Sequence, residues 1–384
     1  MSNTPKLRFP EFKGEWEEKK LSDFMTRLTR KNSNNESSRA LTISSVDGLI
    51  DQGEFFKKQI ASKDTSGYYL LKKGDFAYNK SYSVGYDYGS IKRLDRYENG
   101  VVSTLYICMS LTSDTNSNYL THYFDSMKWN KSVSEISAEG ARNHGLLNIP
   151  TESFFQTKHF LAPTLAEQQK IADFLSNVDS IITAETKILN TLQKKKKALM
   201  QKLFTQQLRF KSDDGTDFPG WEEKKLGECV ISISSGKNKQ KDSAGNYPVY
   251  GSMGIIGYSE QYVYNKDCIL VARVGANAGT LHIAKGKYDV SDNTLIIELN
   301  ENELLSFYYY LLVNINLNKL NYGTGQPLVT SGMLKNIDIQ IPCKAEQQKI
   351  ADCLSSIDSL IQTQQKVVTT WQQRKKALLQ QMFI

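Results

Sequence analysis

The sequence of 384 residues predicts an α+β protein built as a pseudo-twofold internal repeat, with two globular domains joined by two long antiparallel coiled-coil helices. Three observations predict it. Residues 166–182, AEQQKIADFLSNVDSII, recur as 345–361, AEQQKIADCLSSIDSLI, identical at thirteen of seventeen positions with an offset of 179. A repeat of this length defines the architecture before any local feature does. Each copy continues an apolar seam in alternating steps of four and three residues. Ahead of each copy, short β-branched and aromatic runs alternate with Gly, Asn and Asp turns.

The chain begins with a lead-in that returns later. Leu7-Arg8-Phe9 and Trp16-Glu17-Glu18-Lys19-Lys20-Leu21 reappear as Leu208-Arg209-Phe210 and Trp221-Glu222-Glu223-Lys224-Lys225-Leu226. The repeating unit is therefore half the chain, a lead-in, a globular domain and a helix. The offset falls from 205 at the tryptophans to 179 at the helices, so the second domain is shorter by 26 residues.

The domain interiors differ more than their flanks. Runs at 41–46, 101–109, 230–234, 268–274 and 294–299 read as strands of twisted sheets in mixed domains. Lys73-Gly74-Asp75-Phe76-Ala77-Tyr78 resembles Lys266-Asp267-Cys268-Ile269-Leu270-Val271, and Thr104–Ile107 resembles Thr294–Ile297.

From Ile171 the first seam runs through Leu175, Val178, Ile182, Glu185, Leu189, Leu192, Lys196, Leu199 and Leu203. The second runs from Ile350 through Leu354, Ile357, Ile361, Gln364, Val368, Trp371, Lys375, Leu378 and Met382. Spacing near 3.5 keeps one apolar stripe against a partner helix. A helix over 164–203 extends roughly 60 Å at about 1.5 Å per residue, and the simplest partner is the other copy. Thr164 and Glu167 after Pro163 form a predicted capping box, whereas the second copy keeps only Pro342, so its start is expected to be the weaker. The spacing pairs the polar seam positions as Glu185 with Lys375 and Lys196 with Gln364.

Composition excludes several classes. No window is apolar enough for a membrane span or a signal peptide, and five cysteines without a CxxC pair indicate reduced thiols in a cytoplasm. Four scattered histidines offer no metal site, and no cofactor is expected. The chain holds no Gx4GK[ST] loop, Pro-Pro dipeptide, GxSxG elbow or HExxH pair, so it is read as a non-enzyme.

The net charge of +7 allows an anionic partner. Between 57 and 96, nine Lys or Arg stand against four Asp, interleaved with Tyr68, Tyr69, Tyr78, Tyr82, Tyr86 and Tyr88, a composition suited to nucleic acid. Each domain also ends in a polar glycine-bearing loop, Gly140-Ala141-Arg142-Asn143-His144-Gly145 and Tyr322-Gly323-Thr324-Gly325-Gln326-Pro327. Glycine allows close backbone approach, while Arg, Asn, His and Gln can address base edges. Candidate DNA contacts are Lys80, Tyr82, Arg142, Asn143 and His144 in the first domain and Arg273, Asn277, Thr324 and Gln326 in the second. The lysine runs at 194–197 and 374–376 are read as solvated helix surface.

The duplicated AEQQKIADxLS after a proline, the repeated Trp-Glu-Glu-Lys-Lys-Leu and the Gly-Thr-Gly-Gln-Pro loop together resemble the specificity subunits of bacterial type I restriction-modification systems. The resemblance implies target recognition domains over 1–163 and 208–342, and spacer helices over 164–207 and 343–384. It implies a non-catalytic subunit that reads a bipartite, asymmetric site on double-stranded DNA. It further implies docking of two type I methyltransferase subunits, which carry S-adenosylmethionine, and of restriction/translocase subunits through them. The alternative from the residues alone is a coiled-coil scaffold without DNA specificity.

Overall fold

The computed structural model describes residues 3–45, 47–56, 61–62, 64–112, 114–137, 147–238, 245–320 and 327–384. It divides into two units, residues 1–186 with 367–384, and residues 187–366. The two long helices run Leu165–Phe204 and Lys344–Met382, so each contributes a segment to both units.

In the first unit, strand Glu17–Lys20 pairs antiparallel with Lys158–Leu161, the strand directly before the central helix. The repeated Glu-Glu-Lys-Lys is thus the clip that returns the lead-in to the helix start. The main sheet is antiparallel in the order Met25–Arg27, Ile107–Leu111, Phe76–Asn79, Ser90–Arg93. Two further strand pairs, Leu41–Ser44 with Gly48–Asp51 and Tyr69–Lys72 with Asn99–Val102, flank it in sequence. Helix Ser117–Asp125 is capped by Asn116, whose side chain accepts from the Tyr119 amide.

The unit's core is closed from the far end of the chain. Leu379, Met382 and Phe383 are buried with Ile171, Ala172 and Leu175. Thus 171–175 meets 379–383, which makes the helix segments antiparallel. Trp16, Tyr119 and Phe383 form a triangle of rings with centroids 5.4–6.2 Å apart.

Most of the repeated AEQQKIAD is accounted for by contacts. Glu167, almost fully buried, accepts from Arg8 Nε at 2.7 Å, Arg8 Nη2 at 2.8 Å and Trp16 Nε1 at 3.1 Å. Gln168 Nε2 donates to the Ala162 carbonyl at 2.8 Å, Gln169 Nε2 donates to Asp173 at 2.7 Å, and Ile171 and Ala172 enter the core.

The second unit repeats this scheme. Glu222–Lys225 pairs with Asp338–Ile341, and the main sheet runs Val230–Ser235, Thr294–Leu299, Cys268–Ala272, Leu281–Ala284, the same order as in the first. Buried Glu346 accepts from Arg209 Nη2 at 2.7 Å and Trp221 Nε1 at 3.1 Å. Gln347 Nε2 reaches the Pro342 carbonyl at 3.0 Å. Phe204, Trp221 and Phe307 form the matching ring triangle, and Met200 and Leu203 are buried with Ile350, Ala351 and Leu354. What differs is a second four-stranded sheet, Gly254–Ser259, Tyr247–Gly251, Lys287–Val290, Tyr264–Asn265, in place of the two strand pairs.

Two expectations are corrected. Thr164 Oγ1 does accept from the Glu167 amide at 3.2 Å, but the Glu167 carboxylate is taken by Arg8 and Trp16 instead of reaching back to the cap. Arg209 and Trp221 grip Glu346 in the same way, so the second helix start shares the clasp of the first. The polar seam pairs are also displaced. Lys375 binds Asp179 at 2.7 Å in the first unit and Lys196 binds Asp358 at 2.6 Å in the second. The register is set by the buried apolar ends, and the long lysine arms then take the nearest carboxylate.

Burial of imidazoles in the first unit gives it an acid sensitivity. His159 sits between Tyr123 Oη at 2.9 Å and Thr157 Oγ1 at 2.8 Å, and burial pushes its pKa down to about 3. A base with a depressed folded pKa contributes stability above its unfolded value near 6.5 and loses it as pH falls towards 3. Lowering the pH from 7 to 5 is expected to cost about 2 kcal/mol at this residue. His159→Gln should flatten that dependence in urea titrations at the two pH values.

Candidate nucleic-acid interface

The two domains present their candidate residues at corresponding points of the shared sheet. Strand Phe76–Asn79 is followed by Lys80, and strand Cys268–Ala272 by Arg273, at the same place in the aligned segments 73–80 and 266–273. The Lys80 carbonyl accepts from the Leu147 amide at 3.0 Å, and the Arg273 carbonyl accepts from the Val329 amide at 2.8 Å. In both cases the partner lies just beyond the polar glycine-bearing loop. A basic residue is therefore bonded through its backbone to the segment that follows each loop.

Around Lys80, a small cleft is lined by Arg27, Tyr69, Thr104, Tyr106 and Thr151, which places a second cation at its rim. Burial lowers the Lys80 ammonium below its ordinary pKa. Tyr82 is exposed, as is its neighbour Val84.

In the second domain, Arg273 is half-buried and its Nε has no hydrogen-bond partner among the described residues. Its turn is held tightly. The Gly275 amide donates to the Pro327 carbonyl at 3.1 Å, and the Thr280 amide donates to the backbone carbonyl of Asn277, an exposed residue, at 2.9 Å. At Gly279, with φ +89°, an added Cβ would lie 2.7 Å from the Asn318 backbone nitrogen, so only glycine fits. A guanidinium carried on a rigid turn is suited to a phosphate or a guanine edge.

Of the nine proposed contact residues, Lys80, Tyr82, Arg273 and Asn277 are described and are distributed between the two domains. Arg142, Asn143, His144, Thr324 and Gln326 lie outside the described residues. Part of the basic stretch at 57–96 is neutralised within its own fold. Lys73 pairs with Glu98 at 2.9 Å, Lys92 with Asp125 at 2.7 Å and Arg93 with Asp95 at 2.6 Å. Tyr78 is core, fully buried against Trp129 and Phe154.

Sequence reading missed the second domain's extra sheet. Tyr258 and Tyr262 are exposed there with Met253 and Ile255, and Lys287 lies 4.6 Å from the Tyr262 ring centre. The signal was five tyrosines at 247, 250, 258, 262 and 264, passed over because few basic residues separate them. Among the described residues no His, Cys, Asp and Glu group could hold a metal ion, and no helix is long and apolar enough to cross a membrane.

Both halves of the repeat find counterparts among known proteins. The family model for the type I restriction modification DNA specificity domain matches twice, over residues 13–194 and 219–370. A type I restriction enzyme specificity subunit of Methanocaldococcus jannaschii, MjaVIII, is 29% identical over 297 residues, covering 67% of this chain and 68% of its own length. The EcoprrI specificity subunit of Escherichia coli is 25% identical over 162 residues, covering 40% of this chain and 39% of its own. The crystal structure of an S subunit from M. genitalium superposes with a TM-score of 0.61 at 15% identity, covering 99% of both chains. Two family matches, one on each half of the repeat, show that the chain belongs to the type I restriction-modification DNA specificity family.

Proposed function

We propose that this specificity subunit reads a bipartite, asymmetric site on double-stranded DNA, one half-site per domain, with residues 1–163 and 208–342 as its target recognition domains. Residues 164–207 and 343–384 act as the spacer between them. The observation that carries this reading is the repeated placement of Lys80 and Arg273, each at the end of the same sheet strand and beside the exit of a polar loop. Two domains with a common sheet and different peripheral strands are expected to read two different half-sites. Their sequence-reading side chains are Lys80, Tyr82, Arg142, Asn143 and His144 in one and Arg273, Asn277, Thr324 and Gln326 in the other.

The chain catalyses nothing itself. It acts in the cytoplasm by docking two type I methyltransferase subunits on its helices, and restriction/translocase subunits through them. The helix pair of the first unit supports this, since Phe174, Val178, Ile181, Trp371 and Leu378 line an open apolar groove of about 430 Å³. A scaffold without DNA specificity would not account for two DNA-specificity matches.

Methylation mapping of DNA from cells holding this chain with a compatible methyltransferase subunit tests the proposal. A split N6-methyladenine motif that requires this chain is the expected result; co-purification of the two proteins without such a motif would favour the scaffold. Arg273→Ala is expected to relax one position of one half-site by about 1–3 kcal/mol, roughly 5- to 150-fold, and to leave the other half-site unchanged. Lys80→Ala should relax the other half. Uniform loss across all sequences would make these residues phosphate contacts only.

A further inference from the structure

Each unit carries a fastening between domain and helix pair that lies outside the proposed DNA contacts. In the second unit it is built on Asp358, which accepts from Lys196 of the central helix at 2.6 Å and from Tyr310 Oη of helix Leu305–Ile315 at 2.7 Å. One carboxylate thus joins both long helices and the domain.

The first unit uses the corresponding positions. Lys375 and Asp179 are the repeat equivalents of Lys196 and Asp358 at the offset of 179. His122 corresponds to Tyr310, because Tyr119 and Phe307, three residues earlier, occupy the same corner of the two ring triangles. The partners are not the same. His122 Nε2 contacts Ser176 Oγ at 3.1 Å, and its Nδ1 lies 3.8 Å from Asp179. Asp125, on the same short helix, lies 3.7 Å from Lys375 and is itself held by Lys92 at 2.7 Å. The charged groups facing His122 are Lys375, Asp179, Asp125 and Arg93.

All of these side chains are partly or wholly shielded from water, and they join the short domain helix to a fixed point on the helix pair. In the second unit the domain, held there also by its ring triangle and its buried glutamate, cannot pivot without breaking the charge-assisted hydrogen bond of Tyr310 to Asp358, which is among the stronger polar contacts in proteins; in the first it must break the His122–Ser176 hydrogen bond and the looser ion pair of Asp125 with Lys375.

We infer that Tyr310 in one unit, and Asp125 with His122 in the other, are positioning residues that fix each domain's angle on its helix pair and thereby set how strictly the subunit discriminates the spacing between half-sites. The inference rests on the bipartite reading proposed above. No DNA contact is assigned to these residues, so their effect is on distance and not on base identity.

The test uses the assembled methyltransferase complex and duplexes carrying the mapped half-sites at the native spacing, one base pair shorter and one base pair longer. Initial methylation rates are compared for the wild type, Tyr310→Phe, Asp125→Asn and His122→Tyr. Tyr310→Phe is expected to raise the rate at the altered spacings, relative to the native spacing, by about tenfold, as follows from losing a hydrogen bond to a charged group, and Asp125→Asn, which weakens the longer ion pair to Lys375, is expected to raise it in the same direction by a smaller factor. His122→Tyr, which installs the second domain's residue, should keep the wild-type ratio. If both loosening variants slow all three duplexes equally, the residues serve stability alone and the inference is overturned. A wild type indifferent to spacing would overturn the bipartite reading and this inference together, whereas a strict wild type with equally strict variants overturns the inference alone.

Discussion

Arg8→Ala lowers the stability of the first unit by about 3–5 kcal/mol, because it strands a buried carboxylate. The Glu167 side chain is only 1% exposed and takes both Arg8 donors as well as Trp16 Nε1. Removing the guanidinium leaves a charge that water cannot reach and one indole N–H cannot balance. Glu167→Gln should cost less, since a neutral amide has no charge to strand. Arg209→Ala is the matching experiment in the second unit, where Glu346 is 0% exposed. Its penalty should be somewhat smaller if the more exposed Arg209 side chain lets water reach the site. Urea unfolding followed by circular dichroism measures each. A loss below about 1 kcal/mol for Arg8→Ala would mean that the carboxylate finds water after all.

Phe383→Ala is expected to cost about 3–5 kcal/mol and to act on the first unit alone. The ring is 2% exposed and touches Trp16, Tyr119 and Tyr123 at centroid distances of 6.1, 5.4 and 5.8 Å. Its loss opens a cavity that three large rings cannot collapse to fill. The unfolding curve should split, with an early transition for the first unit and an unmoved one for the second. A single transition shifted as a whole would instead show that the two units unfold together.

The helices and the repeat were legible because both are periodic signals, carried by Ile171, Leu175 and Val178 and by their counterparts at 350, 354 and 357. The repeated Leu-Arg-Phe and Trp were visible as a pattern but not as a clasp. Their partner, Glu167, lies 159 positions from Arg8 and 151 from Trp16, and local propensity carries no information at that separation. The Glu185–Lys375 pairing failed because equal spacing along one helix does not fix register against another. Asp179 is off the seam, yet it lies within reach of the lysine. Lys80 and Arg273 stand at the same place in two similar sequence segments, but the backbone bonds to Leu147 and Val329 that hold both are encoded by no motif. Tyr78 was read with the exposed tyrosines because composition does not distinguish a sheet's two faces.

The first unit is closed by residues 367–384, whereas the second is the unbroken run 187–366. During synthesis this inverts the usual order. At roughly 5–20 residues per second, translation supplies the whole of the second unit before Phe383 exists, although the first domain began to emerge earlier. Until then Trp16 and Tyr119 lack one wall of their ring triangle. The N-terminal domain is therefore expected to stay partly open on the ribosome until the second long helix emerges, and a nascent chain stalled before that helix should be cleaved by protease in its oldest part and protected in its newer one.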